Sequence, residues 1–400
     1  MRLTREQLIK KMKENGCDNT LSWSKLNTFV DDPFSFYLKY IKGIKEEKKN
    51  AYAFLGDIVH NGLEKFYNNE FTKQQMIEAF EEGLATQHNC GIKFVKDDKQ
   101  NDSIESKYYT CILNFLYNYE KKSNQSRLEQ FVGMPFGHYY MQGYIDHIYP
   151  YIEKNPDQNN PENIITKHYV VIEDFKTSTA YSGKMIDEKA GQLKLYAIMF
   201  SNNYNVPIEN IKIGWNFLKY VKVDYLQKNG KIKTSNIERH ELDVKLQAKV
   251  KTVAKSLGYS DEDIQNFYEI MSKNLKQHKN NNIFDGMPHE FNNYFTIRDC
   301  FVEIPFDKEK AKEFIDYVLE QIELMDSKIE AYNLTQDENL FWLDVTKENS
   351  FFFINLCGYT AKNHKPLAKY LEGLQSFDRP VQENDSEFDD FMNSLFDGMD

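Results

Sequence analysis

The segment YVVIEDFKTSTAY, residues 169–181, joins an apolar run to a short charged cluster. Its β-branched and aromatic residues favour an extended strand. Successive side chains of a strand point to opposite faces of a sheet, so Asp174 and Lys176 share one face. Glu173 and Phe175 share the other face and are expected to meet solvent or a neighbouring helix. Taken alone, the Asp-x-Lys pair is an ordinary salt bridge at a strand end, worth under about 1 kcal/mol if exposed.

A second carboxylate lies on the preceding predicted strand. Asp146 stands in GYIDHIY, and residues 138–175 predict a β-hairpin with a long polar tip. Strand pairing could bring Asp146 beside Asp174, and two carboxylates at one site repel each other unless a cation lies between them. Carboxylate oxygens suit Mg²⁺ or Mn²⁺, and a neighbouring lysine can orient or activate water for attack on phosphorus. Asp146 alone is equally consistent with a turn or capping residue.

Three further polar residues gain significance beside these carboxylates. His60 lies in the amphipathic helix predicted at residues 51–67, where a half-buried core histidine is the commoner case. Gln192 and Tyr196 stand four residues apart on the helix predicted after the strand, so they share one face. Together they could hold a phosphate or steady Lys176, whereas alone they would be an ordinary surface pair.

The order and spacing of these motifs resemble the RecB-like exonuclease branch of the PD-(D/E)XK nuclease superfamily. That branch includes the nuclease domains of RecB and AddB and the CRISPR-associated adaptation exonucleases. The segments that carry the likeness lie within residues 21–200 and read LSWSKLNTFVDDPFSFYLKYI, GDIVHNGLEKFY, GYIDHIY, VIEDFKTS and GQLKLYA. The (D/E)-x-K motif is weak by itself, whereas the ordered set is specific.

The resemblance implies an α/β fold with a restriction-endonuclease-like core, in which helices flank a mixed central β-sheet and helical insertions are added. The implied metal ligands are three side chains and one backbone carbonyl, from His60, Asp146, Asp174 and Phe175. The implied catalytic residues are two carboxylates, a lysine and an accessory pair, namely Asp146, Asp174, Lys176, Gln192 and Tyr196. The implied reaction is phosphodiester hydrolysis by a metal-activated water.

Many members of that branch also hold an iron–sulphur cluster, with one cysteine in a Cys-Pro pair and three near the C-terminus. Here the upstream pair reads Asp32-Pro33, and Cys357 is the one cysteine of the corresponding late segment. Four thiolates are needed for such a cluster, so we predict that none is present. The aromatic run Phe351 to Phe353 could replace the cluster as an apolar clasp to the N-terminal helix.

The predicted nuclease domain covers residues 1–376, with its core at about 21–222. Helices at about 68–128 are predicted as a cap, and residues 223–376 are predicted to be mostly helical. The remaining residues, 377–400, carry eight acids and one base, which is −7 of the formal net charge of −11. Because binding follows local charge, the acidic total does not exclude a basic groove for DNA.

The acidic tail contains one apolar stripe at helical spacing, formed by Phe388, Phe391, Met392, Leu395 and Phe396. This stripe is too short to hold a helix by itself. We therefore predict that residues 385–400 fold on the groove of a replication or recombination protein. A final helix packed on its own domain and an autoinhibitory tail in the DNA groove are the alternatives.

The composition narrows the cellular setting. Five scattered cysteines without a CxxC motif favour a reducing cytosol, and the absence of an 18-residue apolar run predicts no membrane partner. We expect a cytoplasmic, Mg²⁺- or Mn²⁺-dependent deoxyribonuclease of a bacterial or phage-infected cell. It would act as an exonuclease on single-stranded or free-ended DNA in recombination, repair or replication. The alternatives are a catalytically silent DNA-binding or assembly subunit that recruits partners through its tail, and an RNA substrate.

Overall fold

A computed structural model describes residues 3–95, 98–156 and 164–376. Within these ranges the strands form one seven-stranded sheet, ordered β1-β3-β4-β5-β6 with β2 beside β3 and β7 beside β5. The strands are β1 (Asn19–Ser22), β2 (Arg127–Phe136), β3 (Tyr139–Pro156), β4 (Ile164–Lys176), β5 (Ile211–Leu226), β6 (Ile232–Glu238) and β7 (Phe295–Ile304). β1 is parallel to β3 and β4 to β5, whereas the other neighbouring pairs are antiparallel. The predicted mixed α/β fold is confirmed.

The described α-helices are α1 (Arg5–Glu14), α2 (Trp23–Asp31), α3 (Pro33–Phe36), α4 (Ala51–Tyr67), α5 (Lys73–Asn89), α6 (Asp98–Asn118), α7 (Met185–Glu188), α8 (Gly191–Tyr204), α9 (Leu242–Ser256), α10 (Asp261–Lys276), α11 (Lys308–Thr335) and α12 (Lys365–Ser376). The helix predicted at residues 51–67 is α4, with the same bounds. None of the described helices has the length and apolar character needed to cross a membrane.

The break between α2 and α3 follows from local chemistry. The Ser22 hydroxyl caps α2 by accepting a hydrogen bond from the Lys25 amide at 3.3 Å. Pro33 has no amide hydrogen for the helical ladder, so α2 ends just before it and α3 begins at it. The Asp32 carboxylate caps the new helix by accepting from the Ser35 amide at 3.0 Å. Pro33 thus divides this stretch into two helical pieces.

Helices cover both faces of strand β4. α2, α8 and α11 pack on one face in a buried cluster that contains Ile172. α4, α5 and α6 pack on the other face in a second cluster that contains Phe175. A third cluster joins α9 and α10 to the far ends of β5 and β6. Because this part of β4 is covered on both sides, its side chains of either parity are buried from Val171 to Phe175.

The sheet extends beyond the predicted core at about 21–222. β6 and β7 join the same sheet, so residues 223–376, predicted as mostly helical, contribute two strands to it. The insertion predicted as a cap contains α5 and α6, which share a buried cluster with α4 and the sheet. The tail stripe predicted to bind a partner, within residues 385–400, lies outside the described residues.

The C-terminal part returns to α3 through a buried polar cluster. His364 Nε2 donates to Asp32 Oδ1 at 3.2 Å, and Cys357 Sγ lies 3.9 Å from Asp32 Oδ2. The Ser35 hydroxyl lies 3.6 Å from the Cys357 sulfur. The two positions singled out from the iron–sulphur pattern, Asp32 and Cys357, therefore meet in space.

The predicted aromatic clasp is wrong for two of its three rings. Phe351 and Phe352 are 40% and 42% exposed, and only Phe353 is buried in the core. The Phe353 ring lies against His364, with 5.2 Å between ring centroids. Apolar rings exposed to this extent gain little from burial, so the clasp depends on the polar cluster and one phenylalanine.

Candidate metal and catalytic site

The pairing of β3 with β4 brings the two predicted metal-binding carboxylates together. The antiparallel register pairs His147 with Glu173, and the next position along the strands places Asp146 opposite Asp174. Directly opposed residues of antiparallel strands project to the same face. The two aspartates meet on that face, close enough for each to shift the pKa of the other.

The electrostatics of this pair are those of a site prepared for a cation. Burial and the adjacent Asp174 raise the pKa of Asp146 well above its ordinary range. Burial alone would also raise the pKa of Asp174, but Lys176 and the hydrogen bond from Asp146 hold it below its ordinary value. Without a metal ion, the pair thus binds a proton more tightly than two separate aspartates would. A divalent cation could replace that proton and allow both groups to ionise.

Lys176 lies on the predicted face of β4. Its Nζ forms an ion pair with Asp174, 2.6 Å from Oδ2. Burial would lower the pKa of Lys176, but Asp174 and Asp146 raise it above the ordinary lysine value. The side chain is therefore an ammonium at neutral pH. It is also 30% exposed, so solvent and a substrate can reach it.

His60 reaches the carboxylates from α4. Its Nδ1 lies 3.2 Å from Asp146 Oδ2, and its Nε2 lies 2.8 Å from the Phe175 carbonyl oxygen. The imidazole is 31% exposed at one edge but otherwise surrounded by protein atoms, and this desolvation lowers its pKa. A neutral imidazole donates through one nitrogen only, so Nε2 donates to the carbonyl and Nδ1 presents its lone pair. The four predicted metal-binding groups thus form one continuous chain of contacts.

The accessory pair lies on α8, on the aspartates' side of the sheet. Gln192 Nε2 donates to the Tyr196 hydroxyl at 3.0 Å. Burial raises the pKa of Tyr196 to about 12, so its hydroxyl stays neutral. A Cβ atom at Gly143 would lie 2.4 Å from Tyr196 Cε1, so the glycine of the GYIDHIY motif makes room for this ring. The motif is recognisable from the sequence, but the need for a glycine beside the Tyr196 ring is visible only in the structure.

Glu173 points away from Asp174 as expected, towards the face covered by α4, α5 and α6 and not towards solvent. It is 1% exposed, and its Oε2 lies 2.6 Å from Nδ1 of the fully buried His147 on β3. His147 Nε2 contacts the Ser126 hydroxyl at 3.0 Å, and its ring stacks on Phe175 with centroids 5.4 Å apart. The sequence signal for this second pair was the presence of two adjacent polar residues on each strand, Asp146-His147 and Glu173-Asp174. Each dipeptide supplies one residue to each face.

Of two comparisons with known proteins, one gives a match. A sequence profile of the PD-(D/E)XK nuclease superfamily matches residues 20–294, a range that includes all the predicted site residues. No curated protein matches the chain.

Proposed function

The chain belongs to the PD-(D/E)XK nuclease superfamily, and from this membership we propose a RecB-like exonuclease that cleaves single-stranded or free-ended DNA with Mg²⁺ or Mn²⁺. Nucleases of this superfamily use divalent metal ions. The observation that carries the proposal is the contact of Asp146, Asp174, Lys176 and His60 at one end of the β3–β4 hairpin. A role in recombination, repair or replication is part of the proposal.

The donor set fits a hard or borderline divalent ion. Two carboxylates, a backbone carbonyl and a neutral imidazole would hold it, from Asp146, Asp174, Phe175 and His60. Such ions supply a nucleophilic water and stabilise charge on phosphoryl oxygens. Oxygen-rich donors of this kind suit Mg²⁺ and Mn²⁺.

The chain's own residues would then act on the scissile phosphate. Lys176 is charged at neutral pH, so we assign it to donating hydrogen bonds and offsetting negative charge in the transition state. Gln192 and Tyr196 would position a phosphate or the attacking water through their neutral donor groups. The occupation of every predicted position argues against the alternative of a catalytically silent subunit.

The preference for free ends rests on the layer formed by α4, α5 and α6. These helices pack as one unit on the face of β4 from which His60 reaches the site. We propose that α5 and α6, which lie within the cap predicted at about 68–128, select single strands or free ends.

Three further elements complete the proposal. The chain would carry no iron–sulphur cluster, since the upstream ligand position holds Asp32 beside a single thiol, Cys357. Residues 385–400 would bind a replication or recombination protein. The protein would work in the cytoplasm of a bacterial or phage-infected cell.

Cleavage of matched DNA substrates tests the proposal. End-labelled linear, tailed and circular single-stranded DNA would be incubated with Mg²⁺, with Mn²⁺ and with EDTA. We expect metal-dependent release of short products from linear and tailed DNA, and loss of this activity in Asp174→Ala. Equal cleavage of circular DNA would refute the exonuclease assignment, and undiminished cleavage by Asp174→Ala would refute the site.

A further inference from the structure

Among the residues that the structure describes, two groups of three potential metal ligands lie outside the proposed nuclease site. In each group the ligand atoms lie within 4.8 Å of one another. The first group is Asp32, Cys357 and His364, and the second is Cys111, Glu238 and His240. The hydrogen bonds of the two histidines distinguish them.

The first group is closed to a metal by the start of α12. His364 Nδ1 accepts a hydrogen bond from the Leu367 amide at 3.2 Å, which caps that helix. The proton of a neutral imidazole must then lie on Nε2, which donates to Asp32 Oδ1. A metal on Nε2 would need the proton on Nδ1, where it would meet the Leu367 amide hydrogen. This group is therefore a hydrogen-bonded clasp.

In the second group a single nitrogen, Nδ1 of the histidine, faces both of the other potential ligands. His240 Nδ1 lies 3.5 Å from Cys111 Sγ and 3.1 Å from Glu238 Oε2. Around a tetrahedral Zn²⁺ with ordinary bond lengths, sulfur–nitrogen and nitrogen–oxygen ligand pairs lie about 3.6 Å and about 3.4 Å apart. The observed separations are within a few tenths of an ångström of these values, so the ligands need little movement.

The backbone between two of these ligands is firmly anchored. Arg239 is fully buried, its Nε donates to the Leu218 carbonyl at 2.9 Å, and its Nη2 lies 3.1 Å from Asp299 Oδ1. The Arg239 carbonyl accepts from Asn280 Nδ2 at 3.2 Å. With residue 239 held at both ends, the side chains on either side of it have a limited range of positions.

Outer contacts orient the glutamate. The Tyr220 hydroxyl donates to Glu238 Oε1 at 2.8 Å, so Oε2 is the oxygen that faces His240. Partners of this kind fix the orientation of metal-binding carboxylates. Lys219 Nζ lies 3.6 Å from Oε1 and opposes a cation, but a thiolate and a carboxylate together outweigh its charge.

The surroundings of this nitrogen leave a way in for an ion. The Cys111 side is buried, whereas the side chains of Glu238 and His240 are 24% and 19% exposed. An ion can enter from the exposed side, where a water molecule could complete four-coordination.

We propose that Cys111, Glu238 and His240 bind one Zn²⁺-class ion, which joins α6 to the end of β6. Sulfur and imidazole ligands favour zinc and similar borderline metals over Mg²⁺ or Mn²⁺. This site is separate from the nuclease centre in both its ligands and its metal preference.

Cobalt spectroscopy of the full chain tests this inference. Co²⁺ bound through a thiolate gives an intense near-ultraviolet charge-transfer absorption, which cobalt at the sulfur-free site of His60, Asp146 and Asp174 cannot give. Titration of the reduced, metal-free protein with Co²⁺ should produce this absorption in the native chain and in Asp174→Asn. Added Zn²⁺ should abolish it, and equilibrium dialysis should then show one zinc ion per chain in Asp174→Asn.

Matched cysteine variants locate the site. Cys111→Ser should lose the absorption. It should also weaken zinc binding by a larger factor than the loss of a residue that only orients a ligand, which is typically about 10–100-fold. Cys90→Ser, at an exposed cysteine, and Cys357→Ser, in the clasp, should retain both. His240→Gln provides a second variant if Cys111→Ser does not fold, as judged by circular dichroism. Absence of the absorption in the native chain, or its survival in Cys111→Ser and His240→Gln, would overturn the proposal.

Discussion

Glu173 and Asp174 are adjacent acids whose substitutions should fail in opposite ways. Glu173→Ala removes one partner of a buried pair, leaving His147 without the carboxylate that lies 2.6 Å from it. Breaking a buried ion pair from one side costs about 3–5 kcal/mol. With an unfolding entropy of about 2 cal/mol/K per residue, a chain of this size that unfolds as one unit would lose about 4–6 °C in Tm.

Asp174→Asn should leave stability nearly unchanged and remove activity. Burial still raises the pKa of Asp146 in this variant, but the repulsion from Asp174 is gone and Lys176 still lowers it, so Asp146 ionises more readily and can face Lys176 in its place. The net charge of the buried cluster is then conserved. The metal site, however, loses one of its two carboxylates, so cleavage should fall by orders of magnitude.

Thermal unfolding followed by circular dichroism and single-turnover cleavage well below Tm would separate the two effects. Folded Glu173→Ala should keep most of the parent's cleavage rate, while Asp174→Asn should keep the parent's Tm. Glu173→Gln is the matched control, because its amide oxygen can still accept from His147 and its Tm loss should be smaller. Loss of cleavage in Glu173→Ala with Tm unchanged would refute the orientation of β4 in which Asp174 faces the site and Glu173 faces away from it.

Three other predictions concern the same site. Lys176→Met should lower the single-turnover rate by about 10²–10³-fold, because the ammonium that offsets charge in the transition state is lost. Mn²⁺ binding in calorimetry should not weaken, because a nearby positive charge is removed. Weaker binding with an intact rate would contradict the assigned role. Gly143→Ala should cost about 1–3 kcal/mol in denaturant unfolding by overpacking against the Tyr196 ring, and Tyr196→Leu should relieve most of that loss. The raised pKa of Asp146 means that the folded chain holds a proton that the unfolded chain releases above about pH 4, so this group costs stability as pH rises. In EDTA, Asp146→Asn should therefore raise Tm more at pH 8 than at pH 5, and an equal shift at both pH values would contradict the raised pKa.

The site was predictable as far as local rules extend. Strand parity alone separates Asp174 from Glu173, and hairpin pairing alone brings Asp146 to Asp174. The presence of His60 at the site depends on how α4 crosses the sheet, and only the family resemblance anticipated it. The burial of Glu173 depends on the helices that cover the second face, which no local pattern encodes.

The fold was predicted less completely where strands are short or polar. β1 has four residues and β6 reads IKTSNIE, so neither shows a clear alternation of apolar side chains. Both form because longer neighbours, β3 and β5, present an unpaired edge to them. The clasp between Asp32 and Cys357 joins residues 325 positions apart, a contact that pairwise sequence rules do not reach.

The β3–β4 ladder carries one polar pair on each face, and the two pairs depend on a single register. Asp146 and Asp174 form the pair proposed to bind the metal, while His147 and Glu173, one position along, form a buried structural pair. A slip of one residue would exchange the faces of every side chain on the slipped strand. Such a slip would break the His147–Glu173 contact and bury two unpaired polar groups, which costs several kcal/mol. The buried pair behind β4 thus opposes a displacement that would separate the two aspartates. This accounts for an ionisable pair in a position where an apolar residue would pack as well.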